Sequence, residues 1–459
     1  MEFFFKKQKI ISKFLLKYNL NGDLMTEINI SNEIPTYMRN IIQKIIDDAG
    51  CRIPGSPQEA NGAEIIKDEM ENFTDEVRIE EFRLHPRAFL GWIRIDIFLI
   101  LASMGCFFLL NLLTTPFWSY ILSIVSFVFA FTAILIIWKE FFNYEEFIDP
   151  LFKEKTSQNV IGKIKPPNNK VKKIILFAGH HDSALQFNLL RYLKYFYPII
   201  LFLGMGIMFI WVFTSAAILF LTIGQLIFPM MVNYSWFTPF VLWVFLIGLI
   251  PLVALFFFVS SGEKANKVPG AVDNLSAVSV VLGLGKYLKE HPEAIPENTE
   301  VHLLSFGSEE AGLRGAYRYV EQHLEELKKY DAELVNMDGI QSKKKIQIIQ
   351  YEPTTRTKHS ELVVEKLKKA SELVDVKAET FGDGAMEKFI GQISGGTDTT
   401  AFSKANIKAS NLSSMELKKF INFYHQPTDT LDMIDEGALE NALKLCIGYL
   451  MVEKQEKRK

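Results

Sequence analysis

Two long apolar blocks interrupt a chain whose remaining positions mix apolar and polar residues as globular domains do. The second block, 195–262, contains no Asp, Glu, Lys or Arg. Each block divides into two segments close to the roughly 20 apolar residues that cross about 30 Å of hydrocarbon. Buried core helices are the alternative, but four such segments exceed what a soluble core of this size uses. We therefore predict four membrane-spanning helices in two hairpins, at 97–113, 117–138, 197–223 and 236–259.

Shorter apolar runs outside the two blocks are typical of buried parallel strands. These runs lie at 172–178, 299–308 and 332–338, and helical patterns separate them at 275–289 and 313–330. Alternation of strand, helix and strand predicts an α/β fold with a mostly parallel central sheet.

Composition limits the possible partners and the role of the cysteines. The 459 residues carry a net charge of −3, so the charge gives no reason to expect a nucleic-acid partner. Of the three cysteines, Cys106 lies in an apolar segment, and no disulfide framework is indicated. The first 20 residues contain five lysines, which fits either an amphipathic helix on an anionic membrane surface or a solvated basic helix.

Five polar clusters rich in His, Asp and Glu each follow an apolar run. Sites in open α/β sheets form at the carboxyl ends of strands, where several of these clusters fall. Imidazole and carboxylate groups suit zinc. The same residue types also cap helices, and Asp273, Asn274 and Ser308 each precede a helical pattern. The clusters are Gly-His-His-Asp (179–182), Pro-Gly-Ala-Val-Asp-Asn (269–274), Gly-Ser-Glu-Glu-Ala-Gly (307–312), Asn-Met-Asp-Gly (336–339) and Phe-Tyr-His-Gln-Pro-Thr-Asp-Thr (423–430).

The order and wording of these clusters resemble the M28 zinc peptidases of the aminopeptidase Y and S type. The similarity covers residues 34–84, 159–186 and 268–450, with the five clusters in the family's order. The resemblance implies a three-layer zinc-exopeptidase-like fold, a peptide substrate and two zinc ions per chain.

The resemblance also implies which residues bind the ions. One zinc ion would be held by His180, Asp338 and Asp273. The other would be held by Glu310, His425 and the same Asp273, which bridges the two.

Two further carboxylates match catalytic positions of the family. Asp182 matches the residue that orients the ligand His180. Glu309 matches the general base, which would take a proton from the attacking water and pass it to the leaving amine.

Several positions depart from the family pattern or leave its meaning open. His181 stands where the family often has Tyr, and we expect a neutral surface histidine that binds no metal. Thr399 occupies the place of a family His, which leaves the substrate contacts open. Tyr424 and Asp429 flank the last ligand and either support it or serve packing and helix capping. The remaining histidines are expected to be structural: His85, His291, His302, His323 and His359.

The two apolar blocks fall inside the implied peptidase domain. That domain closes only if each block leaves and returns on one side of a membrane, as a helical hairpin does. The predicted organisation is a basic N-terminal segment (1–33), three parts of the peptidase domain (34–88, 140–194 and 263–459, the last with most of the metal site) and two transmembrane hairpins (89–139 and 195–262).

The distribution of Lys and Arg predicts the orientation in the bilayer. The connections within the two hairpins carry none, whereas basic residues flank the spans on the side of the peptidase domain. Basic flanks favour the cytoplasm, so we expect the peptidase domain there. The basic residues are Arg83, Arg87, Arg94, Lys139, Arg191, Lys194, Lys264 and Lys267.

The sequence therefore predicts an integral membrane binuclear zinc exopeptidase, specifically an aminopeptidase. Two alternatives stay open. The same fold carries other metal-dependent hydrolases and glutaminyl cyclases, so the resemblance alone does not fix the reaction. A non-catalytic membrane binding protein could also keep the fold, although it would be expected to have lost a ligand, and none is lost here. No motif indicates an oligomeric state.

Overall fold

The computed structural model divides the chain into two compact units. The α/β unit comprises residues 1–84, 155–184 and 267–459, and the helical unit comprises 85–154 and 185–266. Most of the basic N-terminal segment (1–33) and Lys264 lie outside the described residues. The described residues are 17–18, 24–25, 28, 30–112, 115–228, 235–261, 266–382, 384, 387, 391 and 395–457.

Twelve strands lie in the described parts of the chain. They are β1 (Lys17–Tyr18), β2 (Leu24–Met25), β3 (Glu76–Leu84), β4 (Lys155–Ile164), β5 (Lys173–His180), β6 (Thr299–Phe306), β7 (Glu333–Met337), β8 (Ile346–Ile349), β9 (Tyr351–Glu352), β10 (Thr357–Lys358), β11 (Ala378–Phe381) and β12 (Lys408–Ser413). Eight of them form one mixed sheet in the order β11-β8-β12-β7-β5-β6-β4-β3. The central run from β12 through β7 and β5 to β6 is parallel.

Helices cover both faces of this sheet, and β5 shows why. Ile175 and Phe177 pack into one hydrophobic core, whereas Ile174, Leu176 and Ala178 pack into another. Successive side chains of a strand point to opposite faces, so a strand buried on both sides is apolar throughout. This confirms the predicted α/β fold with a mostly parallel sheet. The helices of the α/β unit are Glu33–Ala49, Pro57–Glu71, Ser276–Glu290, Arg314–Lys329, Glu361–Leu373, Thr399–Lys404, Leu417–Phe423 and Ala438–Glu456.

The described residues of the helical unit contain four helical runs that are long and apolar enough to cross a membrane. Its interior includes a buried polar contact in which Trp211 Nε1 donates to Ser103 Oγ at 2.8 Å, with Ser126 Oγ 2.9 Å away. Large apolar side chains such as Phe213 and Phe220 are about three-quarters exposed. The four runs are Ala88–Leu110, Pro116–Phe142, Asn188–Ile227 and Thr238–Phe256.

The first of these helices begins earlier than the predicted apolar segment 97–113. The predicted segment left out Arg94 because this residue is charged. The helix nevertheless includes it, and its guanidinium has hydrogen-bond partners. It donates to the carbonyl oxygens of Phe256 at 3.2 Å and Val259 at 3.1 Å, and to Ser261 Oγ at 3.1 Å. Because its charge is satisfied by three acceptors, Arg94 can lie in an apolar helix even though its own hydropathy is low.

Each inserted block leaves and returns at paired backbone positions. Before and after the first block, Leu84 of β3 pairs with Lys155 of β4. At the ends of the second block, Phe187 forms a β-bridge with Val259, and Ser260 N donates to Gln186 O at 3.0 Å. In each block the chain therefore returns close to the point at which it left, as a hairpin insertion requires.

Candidate metal centre

Neighbouring strands bring four predicted site residues to one edge of the sheet. His180 is the last residue of β5, and Asp182 follows two residues later. Glu309 comes shortly after β6, and Asp338 directly follows β7. Because β5 pairs in parallel with both β6 and β7, these strand ends lie side by side.

Asp273 reaches the same edge from a loop that is tied to the end of β7. Asn274 Nδ2 donates to Met337 O at 3.0 Å, and Gly339 N donates to Asn274 Oδ1 at 3.2 Å. Gly270 has a φ of +67°, and a side chain there would approach Asp273 O to 2.8 Å. Glycine is therefore required where this loop turns towards the sheet.

Asp273 lies between the two predicted histidine ligands. Its Oδ1 is 3.3 Å from His180 Nε2, and its Oδ2 is 3.2 Å from His425 Nε2. The same His425 nitrogen is 3.2 Å from Glu310 Oε1. Two atoms bound tetrahedrally to zinc at about 2.0–2.1 Å lie about 3.3 Å apart, so these spacings fit zinc ligands. Each oxygen of Asp273 faces a different histidine, as expected of a carboxylate shared by two ions.

Two overlapping groups of side chains have ligand atoms within 4.8 Å of one another. The first contains His180, Asp273 and Glu310, and the second contains His180, Glu309 and Asp338. Together with the contacts of His425, these groups unite all five predicted ligands. They also place Glu309 beside the ligands.

The electrostatics of the cluster favour bound cations. Burial raises the pKa of Glu309, Glu310 and Asp338, and repulsion from neighbouring carboxylates raises it further. Burial alone would lower the pKa of His425, but the nearby carboxylates outweigh burial and raise it to about 10. Without cations the cluster would hold protons, whereas divalent ions would relieve the same repulsion. The donor set therefore fits zinc.

Asp182 connects the ligand histidine to the Glu309–Glu310 segment. Its Oδ1 and Oδ2 accept hydrogen bonds from Glu309 N and Glu310 N, both at 3.0 Å. Its Oδ1 also lies 3.3 Å from His180 Nδ1. One buried carboxylate thus fixes the backbone position of both glutamates and lies beside the His180 ring, which fits the predicted orienting residue.

Asp429 performs a comparable task for Asp273. It accepts hydrogen bonds from Val272 N at 2.7 Å and from Asp273 N at 3.2 Å. Tyr424 stacks on the His425 ring, with the ring centroids 3.8 Å apart. Both residues that flank His425 in the sequence therefore contact a predicted ligand.

Arg52 is a buried residue of the centre that sequence reasoning missed. Its guanidinium donates to four carbonyl oxygens, those of His181 at 2.6 Å, Gly50 at 2.7 Å, Pro269 at 2.8 Å and Gly270 at 3.3 Å. These bonds connect the loop after β5 to the loop that carries Asp273. No sequence signal marks this residue, because its partners are main-chain atoms and most of them are more than 100 residues away in the chain.

Glu59 is the second buried residue of the centre that sequence reasoning missed. Its spacing from Ser56 is that of a helix cap and gives no indication of a contact with the site. Ser56 and Glu59 have the spacing of a helix-capping box, and Ser56 Oγ does accept from Glu59 N at 3.2 Å. The Glu59 carboxylate, however, accepts from Ser308 N and Ser308 Oγ, both at 2.8 Å, and from Gly55 N at 2.6 Å. It therefore supports the turn that immediately precedes Glu309.

The expectation that His181 lies on the surface is wrong. The side chain is fully buried, and its Nδ1 lies 2.9 Å from Ser305 Oγ on β6. Burial lowers the pKa of His181 to about 3, so the ring is neutral. The residue continues the alternation of β5 for one more position, which turns its ring away from His180 and into the protein.

Comparison with known proteins finds a family that matches part of the chain. Residues 259–450 match the model described as Peptidase family M28. This part of the chain is therefore similar to the M28 peptidases. The matched residues include Asp273, Glu309, Glu310, Asp338 and His425, and the predicted resemblance to this family is confirmed over the matched residues.

A curated protein is similar to part of the chain. Aminopeptidase YwaD of Bacillus subtilis (strain 168) is 30% identical over 197 residues, which are 42% of this chain and 40% of that protein. The alignment thus spans less than half of this relative.

Two solved structures share the fold of the chain. An aminopeptidase from Aneurinibacillus sp. strain AM-1 aligns over 92% of this chain and 93% of its own, with a TM-score of 0.50 and 14% identity. A glutaminyl cyclase from Fimbriiglobus ruber aligns over 93% and 97%, with a TM-score of 0.50 and 11% identity. At these identities the similarity shows the fold alone.

Proposed function

We propose that this protein is an integral membrane aminopeptidase of the M28 type that hydrolyses N-terminal residues from peptides with two zinc ions per chain. The observation that carries the proposal is the shared carboxylate of Asp273, whose two oxygens face His180 and His425 at 3.3 and 3.2 Å. A carboxylate whose two oxygens face two different histidines fits a site for two ions.

The contacts support the ligand roles that the family resemblance implies. His180, Asp338 and Asp273 would hold one ion. His425, Glu310 and Asp273 would hold the other. When bound, the ions would polarise the scissile carbonyl and lower the pKa of a bound water molecule.

Glu309 is the proposed general base. Its backbone is fixed by Asp182, and its carboxyl group is buried beside the ligands with a raised pKa. A carboxylate with a raised pKa accepts a proton more readily near neutral pH. Glu309 would take the proton of the attacking water and deliver it to the amine nitrogen as the carbon–nitrogen bond breaks.

Peptides blocked at one end test the reaction. We expect hydrolysis of peptides with a free amino terminus, including those amidated at the carboxyl terminus, and no hydrolysis of their N-acetylated forms. A chelator should abolish the activity. Cleavage from the carboxyl end would indicate a carboxypeptidase, and cyclisation of an N-terminal Gln would indicate the cyclase alternative. Binding without turnover of any peptide would favour the non-catalytic protein.

Membrane integration is supported by the four apolar helical runs and their exposed aromatic side chains. His180 and Asp273 are 3.3 Å apart and so must lie on one side of the bilayer, although the second block separates them in sequence. The number of spans between them is therefore even. We propose two hairpins, with the peptidase domain on the cytoplasmic side because the basic residues flank the spans on that side.

Cysteine labelling tests this topology. In a variant without Cys51, Cys106 and Cys446, an impermeant maleimide should label Thr115→Cys and Phe228→Cys on intact cells. Lys345→Cys, at an exposed position of the peptidase domain, should react only after permeabilisation. Labelling of Lys345→Cys alone on intact cells would reverse the orientation. Labelling of just one of the two hairpin positions would contradict the two-hairpin arrangement.

A further inference from the structure

Three consecutive backbone N–H groups around the proposed general base each donate to a buried carboxyl group. Ser308 N donates to Glu59 Oε1 at 2.8 Å. Glu309 N and Glu310 N donate to the two oxygens of Asp182, both at 3.0 Å. Glu59 and Asp182 are fully buried, and a buried N–H group has to be paired, so these bonds determine where the backbone lies. The chain is therefore fixed both before and after the peptide bond that leads into Glu309.

Ser308 depends on this support because its backbone conformation is unfavourable. Its φ of +54° lies in the left-handed region, which a residue with a Cβ rarely adopts. Such a conformation persists where the surroundings fix it. The Ser308 hydroxyl adds a second hydrogen bond to Glu59 Oε1, also at 2.8 Å. Both donors of this one residue thus hold it to a single oxygen of Glu59.

Glu59 is itself held in place from two directions. Its Oε2 accepts from Gly55 N at 2.6 Å, and its Oε1 also accepts from Ser157 Oγ on β4 at 2.9 Å. The turn is confined in the same way, because a Cβ at Gly307 would approach Ser157 Oγ to 2.6 Å. All these donors to Glu59 are groups of the protein, and its side chain is fully buried. Glu59 is therefore tied to the turn and makes no contact with a substrate.

We propose that Glu59 is a positioning residue for peptide hydrolysis, which acts through Ser308 to hold Glu309 at the metal centre. The inference rests on the proposed role of Glu309 as general base. A base has to lie within hydrogen-bond reach of the proton that it takes, so a small displacement of its backbone lowers the rate. Asp182 fixes the backbone after the turn, and Glu59 fixes the residue before it. Because Glu59 does not touch the substrate, it is expected to influence kcat and not KM.

Two substitutions, one on each partner, test this contact in the zinc-loaded protein with an amidated peptide that the wild type hydrolyses. Ser308→Ala removes the hydroxyl donor but keeps a Cβ at the same φ. Glu59→Asp keeps the acid but withdraws it from Ser308 by one methylene group. Each variant should lower kcat by roughly 10-fold or more and leave KM within about twofold, because a misplaced catalytic group slows the reaction without weakening binding. Zinc content should not change.

Ser157→Ala is the matched control for Ser308→Ala. It removes a hydroxyl group that donates to the same Glu59 oxygen at 2.9 Å, from a residue that is equally buried but lies outside the turn. A purely structural role of Glu59 predicts similar losses of activity and melting temperature in the two variants. The positioning role predicts that Ser157→Ala keeps kcat within about twofold of the wild type.

The same Ser308→Ala change in a Glu309→Gln background makes the result decisive. If Glu59 acts through Glu309, Ser308→Ala should lower kcat no further once the base is absent, because residues that act as a unit are not additive. Unchanged kcat in both Ser308→Ala and Glu59→Asp, or a full additional loss in the Glu309→Gln background, would overturn the proposal, as would a Ser157→Ala variant as slow as Ser308→Ala. A Glu309→Gln variant with wild-type kcat would instead overturn the general-base role itself.

Discussion

Glu309→Gln is expected to lower kcat by at least about 10²-fold while the zinc content stays close to that of the wild type. The amide is nearly the same size as the carboxyl group but cannot accept the proton of the attacking water. The Glu309 backbone remains held because Asp182 Oδ1 accepts from its N–H group and not from its side chain. Steady-state kinetics and elemental analysis on the same preparation measure both quantities.

Glu310→Gln is the matched comparison for this prediction. Glu310 is the next residue, and its backbone N–H donates to the other oxygen of Asp182 at the same distance of 3.0 Å. Its side chain, in contrast, lies 3.2 Å from His425 Nε2, where a ligand is expected. Glu310→Gln should lose about one zinc ion per chain. Equal metal loss with similar turnover in the two variants would show that the roles of the two glutamates are wrongly assigned.

The part of the metal centre built on strands was accessible to sequence reasoning for a physical reason. Apolar runs identify buried parallel strands, and polar residues that follow such runs meet at one edge of the sheet. His180, Glu309 and Asp338 follow this rule, and β5, β6 and β7 are indeed neighbours.

The loop residues could not be placed in the same way. Asp273 and His425 lie on connections without periodicity, and only their resemblance to the family order indicated that they reach the site. Arg52 and Glu59 act through contacts with loops that are more than 100 residues away in sequence. Such contacts exist only once the fold is formed, so no local pattern reports them.

His181 and Asp398 illustrate two further limits. A polar residue that follows a strand is expected at the surface. His181, however, continues the direction of β5, and its ring contacts the buried Ser305. Asp398 directly precedes Thr399, the position at which the sequence departs from the family pattern. Its carboxylate is buried and accepts no hydrogen bond from the described residues. An unpartnered buried carboxylate is a property of the surroundings and not of the residue type, and it therefore has no signature in the sequence.

Removal of the metal ions is expected to abolish peptide hydrolysis and to lower the melting temperature by roughly 5–10 °C. This decrease in melting temperature is expected because the ions bind the folded protein alone and are present far above their dissociation constants. Their loss leaves Glu309, Glu310 and Asp338 close together with pKa values raised by burial and by repulsion. Scanning calorimetry or a fluorescence melt with and without excess chelator measures the shift, and zinc should restore both properties.

The raised pKa values also predict how the stability of the metal-free protein changes with pH. A carboxyl group whose pKa is raised on folding stabilises the protein below its unfolded pKa, and that stability is lost as the pH rises through the folded pKa. His425, with a folded pKa of about 10, acts in the same direction above its usual pKa. The metal-free protein should therefore melt at a lower temperature at pH 8 than at pH 6. Asp273→Asn, which removes the shared carboxylate, is the control and should respond little to chelator. A chelator that leaves the wild-type melting temperature and activity unchanged would show that this cluster holds no functional metal.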